Sequence, residues 1–341
     1  MTDLDTTEAS EATHARGVRQ TVETVTRRHG FRSVDTRTLA PASRYAAQDR
    51  DGLLRIVDPA DVSADEEHEA DSHVGSARDG ERGGDATVLV PERTRTLARA
   101  VAREDTDGLG SSARWRATGP CWRAAGVRPD GRREFHRTAA IRVGSGGSSD
   151  AELLSLAGAV LAGCGLGPDD ATVRVSHRGV LSAVFDAFGG EIETAAALSA
   201  TATHDPGTEA YHDALVDAGM NYGQADTVSE LLGLGAEDLD VLADLTGSDA
   251  VAASIEAFRT VIDAVDPDTA DRVAVSLSDL PEQPYYTGPT FRVAAAGDDH
   301  PPVIRGGRID GLVGAAGGDT LPAVGLEIDH PALAHLCSRA E

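Results

Sequence analysis

The fold of this chain is decided by ARWRATGPCWRAAGVRPDGRREFHRTAAIRVG, residues 113–144. The patterns at 113–119 and 134–144 predict two strands, and the Gly- and Arg-rich residues between them predict a long hairpin loop. Arg123 ends the first strand and Arg133 begins the second. Two guanidinium groups facing each other across a hairpin can clamp a carboxylate or a phosphate. A solvated hairpin with surface salt bridges explains the same residues equally well.

Helices and strands flank this hairpin on both sides. Valines at helical spacing predict a helix over 15–29, and a second helix is expected from Pro91 to Ala102. Ser149 is the expected N-cap of a third helix, because acidic residues and a helical stripe of leucines follow it. A further helix is expected at 179–188, and strands are expected at FRSVDT (31–36), GLLRIVD (52–58), ATVLV (86–90) and ATVRVSH (171–177).

Two segments interrupt the pattern. Residues 61–85 are charged and rich in Gly and Ser, with almost nothing to bury, and this composition predicts a mobile surface insertion. Residues 190–265 are rich in Ala, Leu and Asp and have helical periodicity without a convincing strand. They predict a separate helical insertion.

The strand pattern returns from residue 272 onward, in RVAVSL, YYTGPTFRVAAA, PVIRGGRI and LPAVGLEI. Strands interrupted by helices, without regular βαβ alternation, indicate an α+β domain around a mostly antiparallel sheet. The sequence therefore predicts one domain formed by 15–189 and 266–341, preceded by a flexible N-terminus at 1–14.

Composition restricts the class of protein. The 341 residues include 31 basic and 56 acidic ones, which gives a net charge of −25, and every basic residue among Lys and Arg is an Arg. A dense acidic surface of this kind indicates adaptation to molar salt and argues against a broad nucleic-acid-binding face. There is neither a long apolar run nor a signal peptide, so we expect a soluble cytoplasmic protein without membrane contact.

The cysteines and histidines give no indication of a metal or another cofactor. Cys121, Cys164 and Cys337 are odd in number and lack the spacing of metal ligands. Buried free thiols in a reducing compartment are the expected state. His136 and the other histidines also lack ligand spacing, so neither a metal nor a cofactor is expected.

Two motifs combine residues that bind small polar ligands. Pro91-Glu92-Arg93-Thr94 puts a carboxylate and a hydroxyl at the start of a helix, where a capping Glu is the ordinary explanation. YYTGPTF at 285–291 offers a ring for stacking and a hydroxyl for hydrogen bonding, on an expected strand. Tyrosines are also common in sheet cores, so the alternative of a purely structural role stays open.

The third motif is RGGRIDGL at 305–312. Gly306 and Gly307 would let a backbone approach a ligand closely, while Arg308 and Asp310 would point polar groups inward. Paired glycines also occur in ordinary tight turns, which leaves a structural role equally open.

Taken in order, these motifs resemble the histidyl-tRNA-synthetase-like family of class II aminoacyl-tRNA synthetases. The resemblance covers residues 15–335 and is carried by GFRSVDT, LVPERT, GPCWR with RREFHR, SDAELLSLA, YYTG, RGGRIDGL and LPAVGLEI. It implies a six-stranded antiparallel sheet flanked by helices, with a helical insertion before the last strands. It also implies a homodimer, because the first-motif helix and strand form the dimer interface in class II domains.

Two departures from the family pattern bear on function. The family's arginine before the tyrosine pair corresponds to Pro281, and its late ATP-binding arginine corresponds to Ala332. Losing one such donor costs about 3–4 kcal/mol in the reaction barrier. We therefore expect that the chain is not an enzyme. The chain also ends at Glu341, without room for the family's anticodon-binding domain, so tRNA binding is not expected.

A synthetase-like domain of this kind resembles the regulatory subunit of ATP phosphoribosyltransferase, the first enzyme of histidine biosynthesis. The resemblance implies a hetero-oligomer with the catalytic subunit and feedback by histidine. The family's pocket glutamine and glutamate correspond to Arg137 and Ile141, so histidine binding is expected to be weak or absent. The residues implied for the histidine-type pocket are Glu92, Thr94, Arg123, Arg133, Arg137, Tyr285 and Tyr286, with Arg308 and Asp310 at its edge.

Two other functions fit the same motifs. A divergent class II synthetase paralogue would bind or activate an amino acid with ATP, using Arg123 and Arg133 on the nucleotide. A free-standing paralogue would sense an amino acid or bind tRNA, although the charge of −25 counts against tRNA.

Overall fold

A computed structural model describes residues 9–45, 52–56, 86–103, 113–124, 128, 130–144, 148–188, 208–235, 238–279, 283, 285–295 and 302–340. Its helices are α1 (Ala9–Arg28), α2 (Thr94–Val101), α3 (Ser148–Gly163), α4 (Arg178–Phe188), α5 (Glu209–Asp217), α6 (Tyr222–Leu232), α7 (Leu239–Thr246), α8 (Asp249–Asp263), α9 (Pro267–Ala270), α10 (Leu312–Ala315) and α11 (His330–Ala340). Its strands are β1 (Arg32–Ser33), β2 (Leu39–Pro41), β3 (Thr87–Leu89), β4 (Ala113–Trp122), β5 (Glu134–Val143), β6 (Ala171–His177), β7 (Val273–Val275), β8 (Pro289–Ala295), β9 (Ile304–Arg308) and β10 (Ala323–Asp329). No helix in these ranges is both long and apolar enough to cross a membrane.

The predicted hairpin at 113–144 is present, and its two strands pair over ten residues, from Ala113 opposite Val143 to Trp122 opposite Glu134. The mixed sheet has the order β1-β4-β5-β10-β9-β8-β6-β7 in the described residues. Its six central strands pair antiparallel, whereas the short edge strands β1 and β7 pair parallel with their neighbours. The prediction of an α+β fold with a mostly antiparallel sheet is therefore confirmed.

Several helix boundaries differ from those that the sequence predicts. The first helix begins at Ala9 rather than at residue 15. The second begins at Thr94 and not at Pro91, because the backbone at Glu92 and Arg93 turns to place both side chains inside. Ser149 lies within α3 instead of capping it, and its side chain is buried.

Two predicted strands are shorter than expected. GLLRIVD contributes one isolated bridge, from Arg55 to Val88. The tyrosine pair precedes β8 rather than lying on it, since that strand begins at Pro289. The predicted insertion at 61–85 lies outside the described residues.

The sheet has two different faces, because successive side chains on a strand point to opposite sides. The helical face, which includes Ala140, Val293 and Leu326, is packed against α1, α3 and α11. Arginines on this face are neutralised by helix carboxylates, as in the bond from Arg114 Nε to Glu152 Oε1 over 2.6 Å. The open face carries α2 and α10 at one end of the sheet and polar side chains beyond them.

The described helices of the predicted insertion, from residue 208 onward, pack against the helical face of the sheet. Tyr211, Leu215 and Phe258 from its described helices are buried in the same apolar cluster as Val175 and Phe291 of the sheet. Burial of each such side chain stabilises the fold by about 1.5–3 kcal/mol. The described helices after residue 208 therefore extend the core of the helical face.

Gly306 is required by packing in the sheet. A Cβ atom at this position would lie 2.6 Å from Phe291 Cζ and 2.8 Å from the carbonyl oxygen of Gly325. Overpacking a filled core costs about 1–3 kcal/mol, so we expect Gly306→Ala to lower the free energy of unfolding by that amount. Denaturant unfolding in high salt measures this change.

Gly311→Ala is the matched control, because Gly311 has a φ of −83° and nothing lies within 4 Å of an added Cβ. We expect it to change the free energy of unfolding by less than about 0.5 kcal/mol. Equal effects of the two substitutions would contradict the packing argument.

Candidate functional site

A pocket lies on the open face, where α2 begins beside β5 and β10. The pocket carries acidic, basic and aromatic side chains together, which is the mixture that a zwitterionic ligand needs. Its lining residues are Tyr45, Pro91, Glu92, Arg95, Arg123, Arg137, Gln283, Tyr285 and Glu327.

Arg137 holds two carboxylates of the neighbouring strand β10. Its guanidinium donates to Glu327 Oε2 over 2.8 Å and, through Nε and Nη2, to Asp329 Oδ2 over 3.2 Å each. Arg128, from the hairpin loop, donates to the same Asp329 oxygen over 2.6 Å. Burial opposes ionisation of Asp329, but the two arginines outweigh it and lower the pKa of that carboxyl. Asp329 therefore stays charged although it is buried.

Glu327 also fixes the start of α2. Its Oε1 accepts a hydrogen bond of 2.7 Å from the backbone N–H of Arg93. The Arg93 side chain is itself buried and donates to Thr36 Oγ1 over 2.9 Å and to the carbonyl oxygen of Pro120. A Cβ at Gly119 would lie 2.7 Å from the Arg93 guanidinium, so a larger residue there would require the guanidinium to move. These contacts join α2 to β4 and β10.

Glu92 is the carboxylate that faces the pocket from α2. Both of its oxygens accept from the backbone N–H of Arg95 over 3.1 Å, so the expected capping role is also present. Burial, and then the nearby Glu327 carboxylate, raise the pKa of Glu92 to about 7. A carboxyl with this pKa exchanges its proton near neutral pH and would become fully ionised beside a cationic ligand.

Arg123 provides positive charge in the same pocket. Its side chain is half-buried, and no hydrogen bond to a carboxylate is present among the residues that the structure describes. Burial, and then the Arg137 guanidinium, lower the pKa of Arg123. Arg95 lies between two aromatic rings, 5.8 Å from the ring centre of Tyr45 and 5.3 Å from that of Tyr285. The pocket thus presents acidic, basic and aromatic side chains close together.

The structure brings together some of the predicted site residues. Glu92, Arg123, Arg137 and Tyr285 line the pocket. Thr94 and Tyr286 are buried immediately behind it, and the ring of Tyr286 lies 4.9 Å from that of Tyr285.

The other three predicted residues lie elsewhere. Arg133 is exposed and joins Arg123 only through a backbone hydrogen bond of 2.9 Å, so the expected guanidinium clamp is absent. Arg308 points to the helical face, where it pairs with Asp150. Asp310 accepts from the backbone N–H of Ala323 over 3.0 Å and so holds a turn. The Gly306–Gly307 pair serves strand packing rather than approach to a ligand.

Sequence reasoning missed Glu327 and Asp329, although a signal for both was present. They alternate with apolar residues in VGLEID, which places two acids on one face of an otherwise buried strand. Their partner Arg137 is almost 200 residues away in the chain, and only the pairing of β5 with β10 brings it close.

A second pocket lies between α3, α8 and the sheet. It is mainly apolar, and its lining includes Leu153, Val175 and Phe258, with Asp150 at one side. No group of three His, Cys, Asp or Glu residues suited to a metal occurs within the described part of the chain. The pocket beside Glu92 is therefore the candidate functional site.

Comparisons with known proteins agree on one family. A family model described as histidyl-tRNA synthetase matches residues 63–333. The histidine–tRNA ligase of Haloarcula marismortui is 34% identical over 328 residues, covering 94% of this chain and 70% of the relative. That of Natronomonas pharaonis is 34% identical over 334 residues, covering 97% and 72%.

Solved structures show the same fold. A Bacillus halodurans protein described as an ATP phosphoribosyltransferase regulatory subunit/histidyl-tRNA synthetase has a TM-score of 0.76 and 18% identity, covering 98% of this chain and 82% of that one. A histidine–tRNA ligase subunit from Alicyclobacillus acidocaldarius has a TM-score of 0.73 and 20% identity, covering 100% and 97%. At these identities the likeness concerns the fold.

The ligase relatives correct the expectation that the chain is not an enzyme, because three of them are 33–34% identical to nearly all of it. That expectation rested mainly on Pro281 and Ala332. Pro281 lies outside the described residues, and Ala332 packs against the apolar core. The open face nevertheless carries other guanidinium groups, including Arg123 and Arg305. Two substituted positions therefore do not establish a loss of activity.

We expect Arg137→Met to lower the free energy of unfolding by about 3–5 kcal/mol, since it leaves buried carboxylates without their partner. Arg137→Met combined with Glu327→Gln should recover part of that loss, because the amide carries no charge and still accepts from the N–H of Arg93. Arg114→Met is the control at a more exposed ion pair and should cost about 1 kcal/mol or less. Equal losses for the single and double variants, measured by denaturant unfolding, would contradict this account.

Proposed function

Because the chain belongs to the histidyl-tRNA synthetase family, we propose that its pocket binds a histidine-type amino acid, and that this ligand regulates an ATP phosphoribosyltransferase assembled with the chain. Ligand binding is supported by the charges of the pocket. The regulatory role is supported by the Bacillus halodurans protein, whose description joins that subunit with histidyl-tRNA synthetase.

Glu92 is the observation that carries the proposal. An α-amino acid presents an ammonium and a carboxylate on one carbon, so its pocket needs an anionic and a cationic side chain. Glu92 offers the anionic carboxylate, while the neighbouring Glu327 is already bound to Arg137 and to the N–H of Arg93. Arg123 offers the cationic guanidinium, and Tyr285 offers an aromatic ring in the same pocket. A charge-assisted hydrogen bond at each end contributes about 1.5–3 kcal/mol.

A regulatory ligand would act through the elements that hold it. Those elements are the segment leading into α2, which carries Glu92, and the hairpin of β4 and β5, which carries Arg123 and Arg137.

A second candidate is activation of an amino acid with ATP. It is favoured by the ligase relatives, which match 94–97% of this chain. The Arg123 guanidinium would then lie against the nucleotide rather than against the amino-acid carboxylate. The acidic composition indicates that either activity belongs to a molar-salt environment.

The affinity for L-histidine should rise as the pH increases from 6 to 8, because the ammonium binds the ionised form of Glu92, whose pKa is about 7. Below that pKa the dissociation constant should change by up to tenfold per pH unit. Calorimetric titration in molar salt measures this dissociation constant.

Glu92→Gln should weaken binding about tenfold or more and remove this part of the pH dependence. Glu230→Gln, an identical change at an exposed position of α6, should have neither effect.

The regulatory role is tested by the formation of phosphoribosyl-ATP by the catalytic subunit from the same source. We expect the chain to co-elute with that subunit and to change its rate, and we expect histidine to inhibit the mixture. Glu92→Gln should keep the assembly and lose at least tenfold in histidine sensitivity. An unchanged rate without co-elution would contradict the role. Histidine-dependent exchange between ATP and pyrophosphate would instead support the second candidate.

A further inference from the structure

Two of the three cysteines lie in contact on the helical face, although about half of the 341 residues separate them in the sequence. Cys164 directly follows α3, and Cys337 lies in the last turn of α11. Their two thiols share a hydrogen bond. Both side chains also pack against the apolar cluster of the helical face. Two thiols in contact, carried by different elements, are the arrangement from which a disulfide forms.

Helix packing fixes the position of both cysteines. At Gly163 the end of α3 lies so close to α1 that an added Cβ would be 2.9 Å from Thr21 Cγ2 and 3.3 Å from Val25 Cγ2. The same α1 packs along α11. The pair of thiols therefore lies where three helices of the helical face meet, and a bond between the two sulfurs would join α3 to α11.

Solvent reaches the pair from the side of Cys164. This residue is half-buried, and its neighbours Gly163 and Gly165 are exposed. Cys337 is buried behind it. A dissolved reagent would therefore meet the Cys164 sulfur first, and the Cys337 sulfur is next to it to complete the reaction.

The third cysteine provides an internal reference. Cys121 is buried on β4, on the open face of the sheet. Burial, and then the Glu327 carboxylate, raise the pKa of Cys121 to about 12. The hydrogen bond with Cys337, and then burial, also raise the pKa of Cys164. Because the thiolate is the reacting form, oxidation of the pair should be faster in alkaline solution.

We propose that Cys164 and Cys337 are a redox-sensitive thiol pair, which a low-molecular-weight disulfide oxidises to an intramolecular disulfide between α3 and α11. The Cys164 thiolate attacks one sulfur of the reagent, forms a mixed disulfide and expels the first reagent thiol. The Cys337 thiolate then attacks the Cys164 sulfur and expels the second. The protein loses two electrons and two protons, which reduce the reagent disulfide to two thiols.

The bond would stabilise the folded chain, because it closes a loop of about half of the residues and so lowers the entropy of the unfolded state. It would act on the packing of the helical face and not on the pocket. The inference goes beyond the proposed function and holds whether or not the pocket binds histidine.

The test is incubation of the folded full chain in molar salt at pH 9 with an excess of oxidised glutathione. Remaining thiols are then alkylated, and peptides are analysed by mass spectrometry without reduction. We expect the three free thiols to fall to one, that of Cys121, and a cross-linked peptide pair to contain Cys164 and Cys337. The melting temperature should rise by at least about 5 °C, and dithiothreitol should reverse both changes.

Cys164→Ala changes the more exposed partner and should abolish the cross-link and the rise in melting temperature. Cys121→Ala is the matched control and should behave like the unchanged chain. Three free thiols after incubation, a mixed disulfide at Cys164 that persists, a bridge to Cys121 or a cross-linked product of doubled mass would each overturn the proposal, and none of these outcomes depends on a variant. A bridge between Cys164 and Cys337 without a rise in melting temperature would overturn its stabilising role.

Discussion

The hydrogen bonds of one carboxylate, that of Glu327, hold the candidate site together. One of its oxygens accepts from the guanidinium of Arg137 on the adjacent strand, and the other accepts from the backbone N–H of Arg93 at the start of α2. Glu327 is already paired with a cation, whereas Glu92 accepts from the backbone N–H of Arg95, so Glu92 is the carboxylate that can meet a cationic ligand. The proximity of the two carboxylates also contributes to the raised pKa of Glu92. The arrangement therefore couples the position of α2 to the charge state of the pocket.

The division of the sheet into two faces determines what each arginine can do. On the helical face, Arg114, Arg116 and Arg308 are neutralised by acids of α3 and α1, and they stabilise the docking of those helices. On the open face, Arg123 and Arg305 lack such partners among the described residues. Arg137 on the open face is also paired, with Glu327 and Asp329, so Arg123 and Arg305 are the guanidinium groups there that can meet a ligand. The proposed amino-acid pocket lies on the open face for this reason.

The sequence predicts the elements of the fold well where the pattern is local. The hairpin at 113–144 is an example, and YYTG, PERT and RREFHR identify the family correctly. The candidate site is predicted less well, because its geometry depends on pairing between distant strands. Arg308 was expected at the edge of the pocket, but its side chain points to the helical face and pairs with Asp150 there. The partnership of Arg137 with Glu327 needs β5 beside β10, which no local pattern gives. Two substituted arginine positions likewise give no measure of how similar the whole chain is to the histidine–tRNA ligases.

The central claim is that Glu92 and Arg123 hold an amino acid between them. The most direct measurement is a crystal structure of the chain with L-histidine, grown in high salt above pH 7 so that Glu92 is ionised. The account predicts the ligand in this pocket, with its ammonium within hydrogen-bonding distance of Glu92 and its carboxylate at the Arg123 guanidinium. Histidine bound elsewhere, or bound here without contact to Glu92, would contradict it.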